Sequence, residues 1–269
     1  MKTMAKPNDR EQLRQEDIER IKKLRPMDDD FLRELLRNNL PLTREILRII
    51  MQKDDLILLK AQPQYDLKRS SGARGLCLDV WAKDSNERIY NLEIQRRDGG
   101  AEPHRARYHS AALDVDNLRK GQDFEMLPDT YVIFITENDI FGEGAAFYNI
   151  ERINSVTGKP FNDGEHIMYV NGAYSGDSDI GRLMHDFRCT DPDEMYNEML
   201  AEKTRYLKES SKGLNRMCKI IEEVKIETIK EIARNMINDG MDNNAIARLT
   251  GLTIEEIQKI AEEKELVTV

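Results

Sequence analysis

The chain has little of what would assign it quickly. Only three of its 269 residues are cysteine, Cys77, Cys189 and Cys218, with no CxxC and no paired spacing. That argues against a disulfide framework and a structural zinc site, and leads us to expect a reducing, cytoplasmic setting. None of the four histidines, His104, His109, His166 and His185, stands in a recognisable metal-ligand spacing, so each is read as surface or core packing. No stretch approaches membrane-spanning length, and the opening MKTMAKPNDREQ has no apolar run, so neither a membrane partner nor a signal peptide is expected. Basic charge is also short: 41 Lys and Arg stand against 50 Asp and Glu, a net charge of −9. A nucleic-acid partner would therefore have to be met by local basic residues, because phosphate contacts come from a basic surface.

What is present suffices for a core. With 39% hydrophobic and 34% charged residues, the length allows one large domain and a small appendage. Its centre is GLCLDVWAKDSNERIYNLEIQRR, Gly75 to Arg97, which reads as a hairpin because Leu76–Trp81 and Ile89–Gln95 both alternate with period two. Each strand carries one acid, Asp79 and Glu93. A two-residue loop at Ser85-Asn86 would put these acids on opposite faces. A three-residue loop, Ser85 to Glu87, sets Asp79 across from Glu93 and is preferred, since it gathers Leu78, Val80, Leu92 and Ile94 on one apolar face.

Opposed residues have Cβ atoms roughly 4.5–5.5 Å apart, a distance at which like charges destabilise a sheet. A divalent cation would offset the repulsion, since Mg²⁺ takes one or two carboxylates plus waters and phosphate oxygens. The plainer alternative is that Glu93 pairs with Arg88, Arg96 or Arg105 and Asp79 only ends a strand.

Elsewhere the pattern predicts alternating elements. Residues 11–24 form a helix that lies outside the main core. Asp28, Asp29 and Asp30 suit a helix N-terminus, and Thr43 can cap the helix that follows a break at Pro41. Leu56–Leu59 reads as the first strand, and AQPQYDLKRSSGARG as a polar link. Pro103 suits the first turn of a helix running to about Gly121. Thr130–Thr136 has the β-branched run of a strand buried on both faces, which makes a βαβ crossover. AAFYNIERI and HIMYVNGAY read as further strands, and Asp179–Glu209 as helix broken near Cys189–Pro192. The expected fold class is α/β, a mixed sheet flanked by helices. Beyond Gly213 a long helix and two short ones resemble a helix-turn-helix. Glu255, Glu256, Glu262 and Glu263 make its second short helix acidic, which favours packing or homo-oligomer formation over DNA contact.

Asp79 followed after a hairpin by Glu93-Ile94-Gln95 is similar to the D…(D/E)-x-K core of the PD-(D/E)XK nucleases, with Gln in place of Lys. LDVWAKDSNERIYNLEIQR, PHRARYHSAALD, LPDTYVIFITENDIFGEG and YVNG together resemble the recombination-promoting nuclease and transposase branch of that superfamily, over about Arg25 to Tyr206. The resemblance implies a nuclease-like region at 25–212, between an N-terminal helical extension at 1–24 and a helical region at 213–269. It implies an Mg²⁺-dependent endonuclease acting on DNA, Mn²⁺ or Ca²⁺ being other candidate cations, with a catalytically inactive binding module as the alternative. Asp79, Glu93 and the Ile94 carbonyl would hold the metal, Gln95 would orient water, and Arg105, Tyr108, Arg97 and Arg74 would contact DNA. An acid of the first core helix, one of Asp28, Asp29 and Asp30, often completes such a site, although helix capping is the preferred reading of all three.

Overall fold

The computed structural model describes residues 7–67, 75–96 and 100–265. It divides into two compact units: among the described residues, one takes 22–67, 75–96 and 100–208 and the other 7–21 and 209–265. Among the described residues no helix is long and apolar enough to cross a membrane.

The larger unit is built on a mixed sheet of six strands among the described residues: β1 (Leu58–Leu67), β2 (Leu76–Asp84), β3 (Ile89–Gln95), β4 (Thr130–Thr136), β5 (Phe147–Ile150) and β6 (Glu165–Asn171). Their order is β1-β2-β3-β4-β6-β5. β1, β2 and β3 form an antiparallel meander, while β3, β4 and β6 run parallel, and β5 returns antiparallel on the edge. Parallel neighbours need a crossover, and α4 (Pro103–Asn117) supplies the one from β3 to β4. It buries Ala106, Ala112 and Leu113 in a cluster with Ile89, Val132 and Phe134.

Residues of the opposite parity point to the other face. There Tyr131 lies under the ammonium of Lys53, which follows α3 (Leu40–Met51). α2 (Asp29–Leu36) packs with α3, and Phe31, Leu32, Leu35, Ile46, Leu47 and Ile50 are buried. α5 (Asp179–Arg188) lies against α3, and α6 (Glu198–Glu209) follows a 3-10 turn at Pro192–Glu194.

Three local expectations are corrected. The first strand is β1, Leu58–Leu67, and takes in much of the stretch read as a polar link; Pro63 is tolerated because β1 is an edge. α3 starts at Leu40 with Pro41 in its first turn, and Asn39 rather than Thr43 caps it by accepting the Leu42 N–H. Asp28 occupies the N-cap of α2 but makes no side-chain cap bond.

In the second unit, α1 (Pro7–Lys22) meets α7 (Ser211–Asn238) through the Lys225–Asp17 pair at 2.6 Å and the Arg14–Asn215 bond at 2.8 Å. The end of α7, α8 (Asn243–Thr250) and α9 (Ile254–Glu265) enclose a small core of Ala233, Ile246, Ile257 and Ile260. Asp242 caps α8, Gly251 ends it at φ +75°, and Thr253 and Glu256 form a capping box on α9.

Candidate active site

The β2–β3 turn fixes the register. Asp84 Oδ1 accepts the N–H groups of Asn86 and Arg88, its Oδ2 accepts the Tyr90 hydroxyl, and the Asp84 N–H reaches the Arg88 carbonyl at 3.0 Å. The loop is Ser85–Glu87, with Glu87 at φ +66°. Val80 pairs with Leu92 and Lys83 with Ile89. One step beyond Val80–Leu92 therefore sets Asp79 opposite Glu93.

At that step the strands fork. β2 stays with β1 down to the Leu76–Leu67 pair, whereas its ladder with β3 runs from Lys83 to Val80. The carboxylates fill the fork: Asp79 N–H donates to Glu93 Oε1 at 3.1 Å, and Ile94 N–H donates to Asp79 Oδ2 at 3.1 Å. The inner oxygens thus replace backbone carbonyls as acceptors. The outer oxygens face guanidiniums, Arg33 Nη2 at 3.7 Å from Asp79 Oδ1 and Arg105 Nη2 at 3.5 Å from Glu93 Oε2. Both are ion-pair distances, though too long for strong hydrogen bonds, and the Glu93–Arg105 pair is the one the plainer reading of the sequence named.

Electrostatics follow from burial. Glu93 is 1% exposed, and burial first and Asp79 second push its carboxyl up to about 8. Burial also raises Asp79, against the Ile94 N–H and Arg33, which lower it. Asp29 on α2 is raised to about 6, by burial and then by Asp79, so its carboxyl feels the field of the pair. Its two neighbours are used otherwise. Asp28 accepts the Arg25 N–H and pairs with Arg96 at 2.8 Å, and Asp30 pairs with Arg33 at 3.1 Å.

Behind Glu93 lies a polar platform. Asn91 Nδ2 is 2.9 Å from His109 Nδ1, and that ring nitrogen is 3.6 Å from Glu93 Oε1. His109 is fully buried, and burial with nearby Arg105 lowers it to about 4, so the ring is neutral at neutral pH. The Asn91 side chain also hydrogen-bonds Glu93, while its Oδ1 is buried without a partner.

The structure thus brings Asp79, Glu93, Ile94 and Arg105 together. Gln95 shares the Glu93 face; its carbonyl accepts the Glu137 N–H, and its amide packs so closely on Gly100 that a Cβ there would collide with it. Tyr108 is half-buried on the same helix as Arg105. Arg74 and Arg97 lie outside the described residues. Sequence reading did not single out Arg33, Asn91 or His109. For His109 one signal was available: it follows Arg105 by four positions, one turn along the same helix face. For Arg33, on a different helix, no spacing pointed to the pair.

Among the described residues no group of three or more His, Cys, Asp or Glu side chains stands ready to hold a metal ion. Two facing carboxylates with a backbone carbonyl are an all-oxygen donor set that suits a hard cation completing its shell with water or phosphate.

Residues 37–173 match the family described as PD-(D/E)XK nuclease family transposase. That stretch spans β1 to β6, both carboxylates and α4. Residues 227–262 match the Rpn/YhgA-like nuclease family, C-terminal HTH domain, which covers the end of α7, α8 and α9. The helix-turn-helix shape read from the sequence accords with that match, whereas a homo-oligomer role finds no support in it. No curated protein and no solved structure matches the chain.

Proposed function

The chain belongs to the PD-(D/E)XK nuclease family, and from that premise we propose that it is a metal-dependent endonuclease hydrolysing DNA phosphodiester bonds, with a role in recombination or mobile elements. The observation that carries this reading is the fork, where Asp79 and the buried Glu93 face each other with raised pKa values and each has its nearest guanidinium only at 3.7 and 3.5 Å, respectively.

Asp79, Glu93 and the Ile94 carbonyl would hold Mg²⁺, with Mn²⁺ or Ca²⁺ as other candidates, and of the α2 acids Asp29, whose carboxyl Asp79 raises, would be the third ligand if one is recruited. When bound, the cation neutralises charge on the scissile phosphate and lowers the pKa of a bound water. Asn91 holds the Glu93 carboxylate from behind by a hydrogen bond, with the neutral His109 ring against that amide. Gln95 orients the attacking water by hydrogen bonds, because an amide brings no charge. Arg105, Tyr108, Arg97 and Arg74 contact the DNA. The reading takes 25–212 as the nuclease domain, 213–269 as a helical DNA-binding or homo-oligomerising region, and the cytoplasm as its location.

Gln95 favours one rival, a nuclease fold kept as a nucleic-acid- or protein-binding module without catalysis. Incubating pure protein with supercoiled plasmid and Mg²⁺, beside an EDTA control and Asp79→Ala, separates them. Nicking that requires both metal and Asp79 is expected; no nicking with any divalent metal would leave the binding module.

A further inference from the structure

Resting on the nuclease reading, a charge count exposes a gap at the fork. Asp79 and Glu93 balance a divalent cation, which leaves the charge of the phosphodiester uncompensated. In hydrolysis a water oxygen bonds to phosphorus and one ester P–O bond breaks. The water's proton passes to solvent, and the leaving oxygen takes one back. Between these events negative charge builds on the non-bridging oxygens, and fixed donors aimed there speed the reaction. Gln95 has no charge to offer.

Two described guanidiniums face the acid pair, and they are held differently. Arg105 is 43% exposed, with its Nε 3.4 Å from Nε2 of the buried His109 and its Nη2 3.5 Å from Glu93. Arg33 is 25% exposed and comes from α2, with one Nη on Asp30 at 3.1 Å and the other 3.7 Å from Asp79 Oδ1. Its Nε is shut off from solvent and has no partner. The head is thus aimed at the pair by Asp30 and is not bound tightly to Asp79. A cation on Asp79 would loosen that contact further. A guanidinium so placed has the planar fork that suits two phosphate oxygens. α2 also precedes the stretch matched by the nuclease family, so that match is silent on Arg33.

We propose that Arg33 is a catalytic residue whose guanidinium takes a non-bridging oxygen of the scissile phosphate and offsets the charge that grows there.

The test compares full-length wild type, Arg33→Gln and the double variant Arg33→Gln/Gln95→Lys, each checked for folding by circular dichroism. Nicking of supercoiled plasmid in Mg²⁺ should fall about 100-fold in Arg33→Gln. Mn²⁺ binding, read by electron paramagnetic resonance, should be unchanged or tighter, because a positive neighbour of Asp79 is gone. Returning charge at position 95 should restore cleavage about tenfold or more. Nicking by Arg33→Gln at the wild-type rate, Mn²⁺ binding lost together with cleavage, or a double variant no faster than Arg33→Gln would overturn the proposal. Should wild type bind Mn²⁺ and nick nothing, the nuclease reading fails. Fluorescence anisotropy with duplex DNA and Mn²⁺ then decides Arg33: clearly weaker binding by Arg33→Gln keeps it as a phosphate contact, and equal binding removes it.

Discussion

Where β2 and β3 fork, Asp79 faces the buried carboxylate of Glu93, beside an Asn91 oxygen and an Arg33 nitrogen that have no partner. Around α8 and α9, by contrast, Ala233, Ile246, Ile257 and Ile260 fill a small core, and the helix starts are closed by Asp242 and by the Thr253–Glu256 box. In the second region packing and caps agree with the fold. In the first, burial, like charge and unsatisfied polar atoms all oppose it. A chain keeps such a conflict where chemistry needs it, because stability alone would select neutral side chains there.

Substitutions in the two regions should have opposite consequences. The largest effect is expected at the acids: Glu93→Ala or Asp79→Ala should reduce Mg²⁺-dependent nicking to background with the circular dichroism spectrum intact. Wild-type nicking by either pure variant would sink the assignment. Next comes Ile257→Ala, which opens a cavity in the small helical core. It should cost about 2–5 kcal/mol of local stability, read as faster amide exchange in α8 and α9, with Mn²⁺ binding at Asp79 and Glu93 unchanged.

Glu93→Gln should act in the opposite direction on stability. The folded carboxyl titrates at about 8 rather than the ordinary 4.5, so the folded state holds a proton that the unfolded chain releases. Wild-type stability without metal is therefore fully present below the ordinary value and is lost as pH rises through that window. The metal-free variant should gain on the order of 2 kcal/mol by pH 7 and almost nothing at pH 4, read by urea denaturation. An equal or lower midpoint at pH 7 would mean that the buried acids are not in conflict. The smallest effect belongs to a cap: Asp242→Ala, which leaves two N–H groups of α8 unsatisfied, should cost about 1 kcal/mol in the same assay.

Much of the sheet was legible because its faces differ. Alternation in Leu76–Trp81 and Ile89–Gln95, with the demand that Val80 and Leu92 share an apolar face, was enough to choose the three-residue turn, and the register in the structure follows it. β1 was harder, since an edge strand with a solvated face tolerates Pro63 and reads as a polar link. Pro41 misled in the same way, because a proline that breaks a helix interior is at home in its first turn. The parts of the site that escaped are those that depend on convergence. Arg33 lies 46 positions before Asp79, and no periodicity in α2 tells which of its polar groups reaches another element. His109 gave a spacing but not its burial. The helix-turn-helix shape was readable from its turn residues, while its acidic surface led away from the DNA-binding reading that the family match favours.

A cation held by Asp79 and Glu93 would have to displace the proton that the buried Glu93 carboxyl keeps at neutral pH. Calorimetric titration of Mg²⁺ into wild type and Glu93→Gln at pH 7 and pH 9 tests it most directly. Binding by wild type should tighten at pH 9 and release a proton at pH 7, and the variant should not bind. Binding that is indifferent to pH, or that survives in Glu93→Gln, would contradict that requirement.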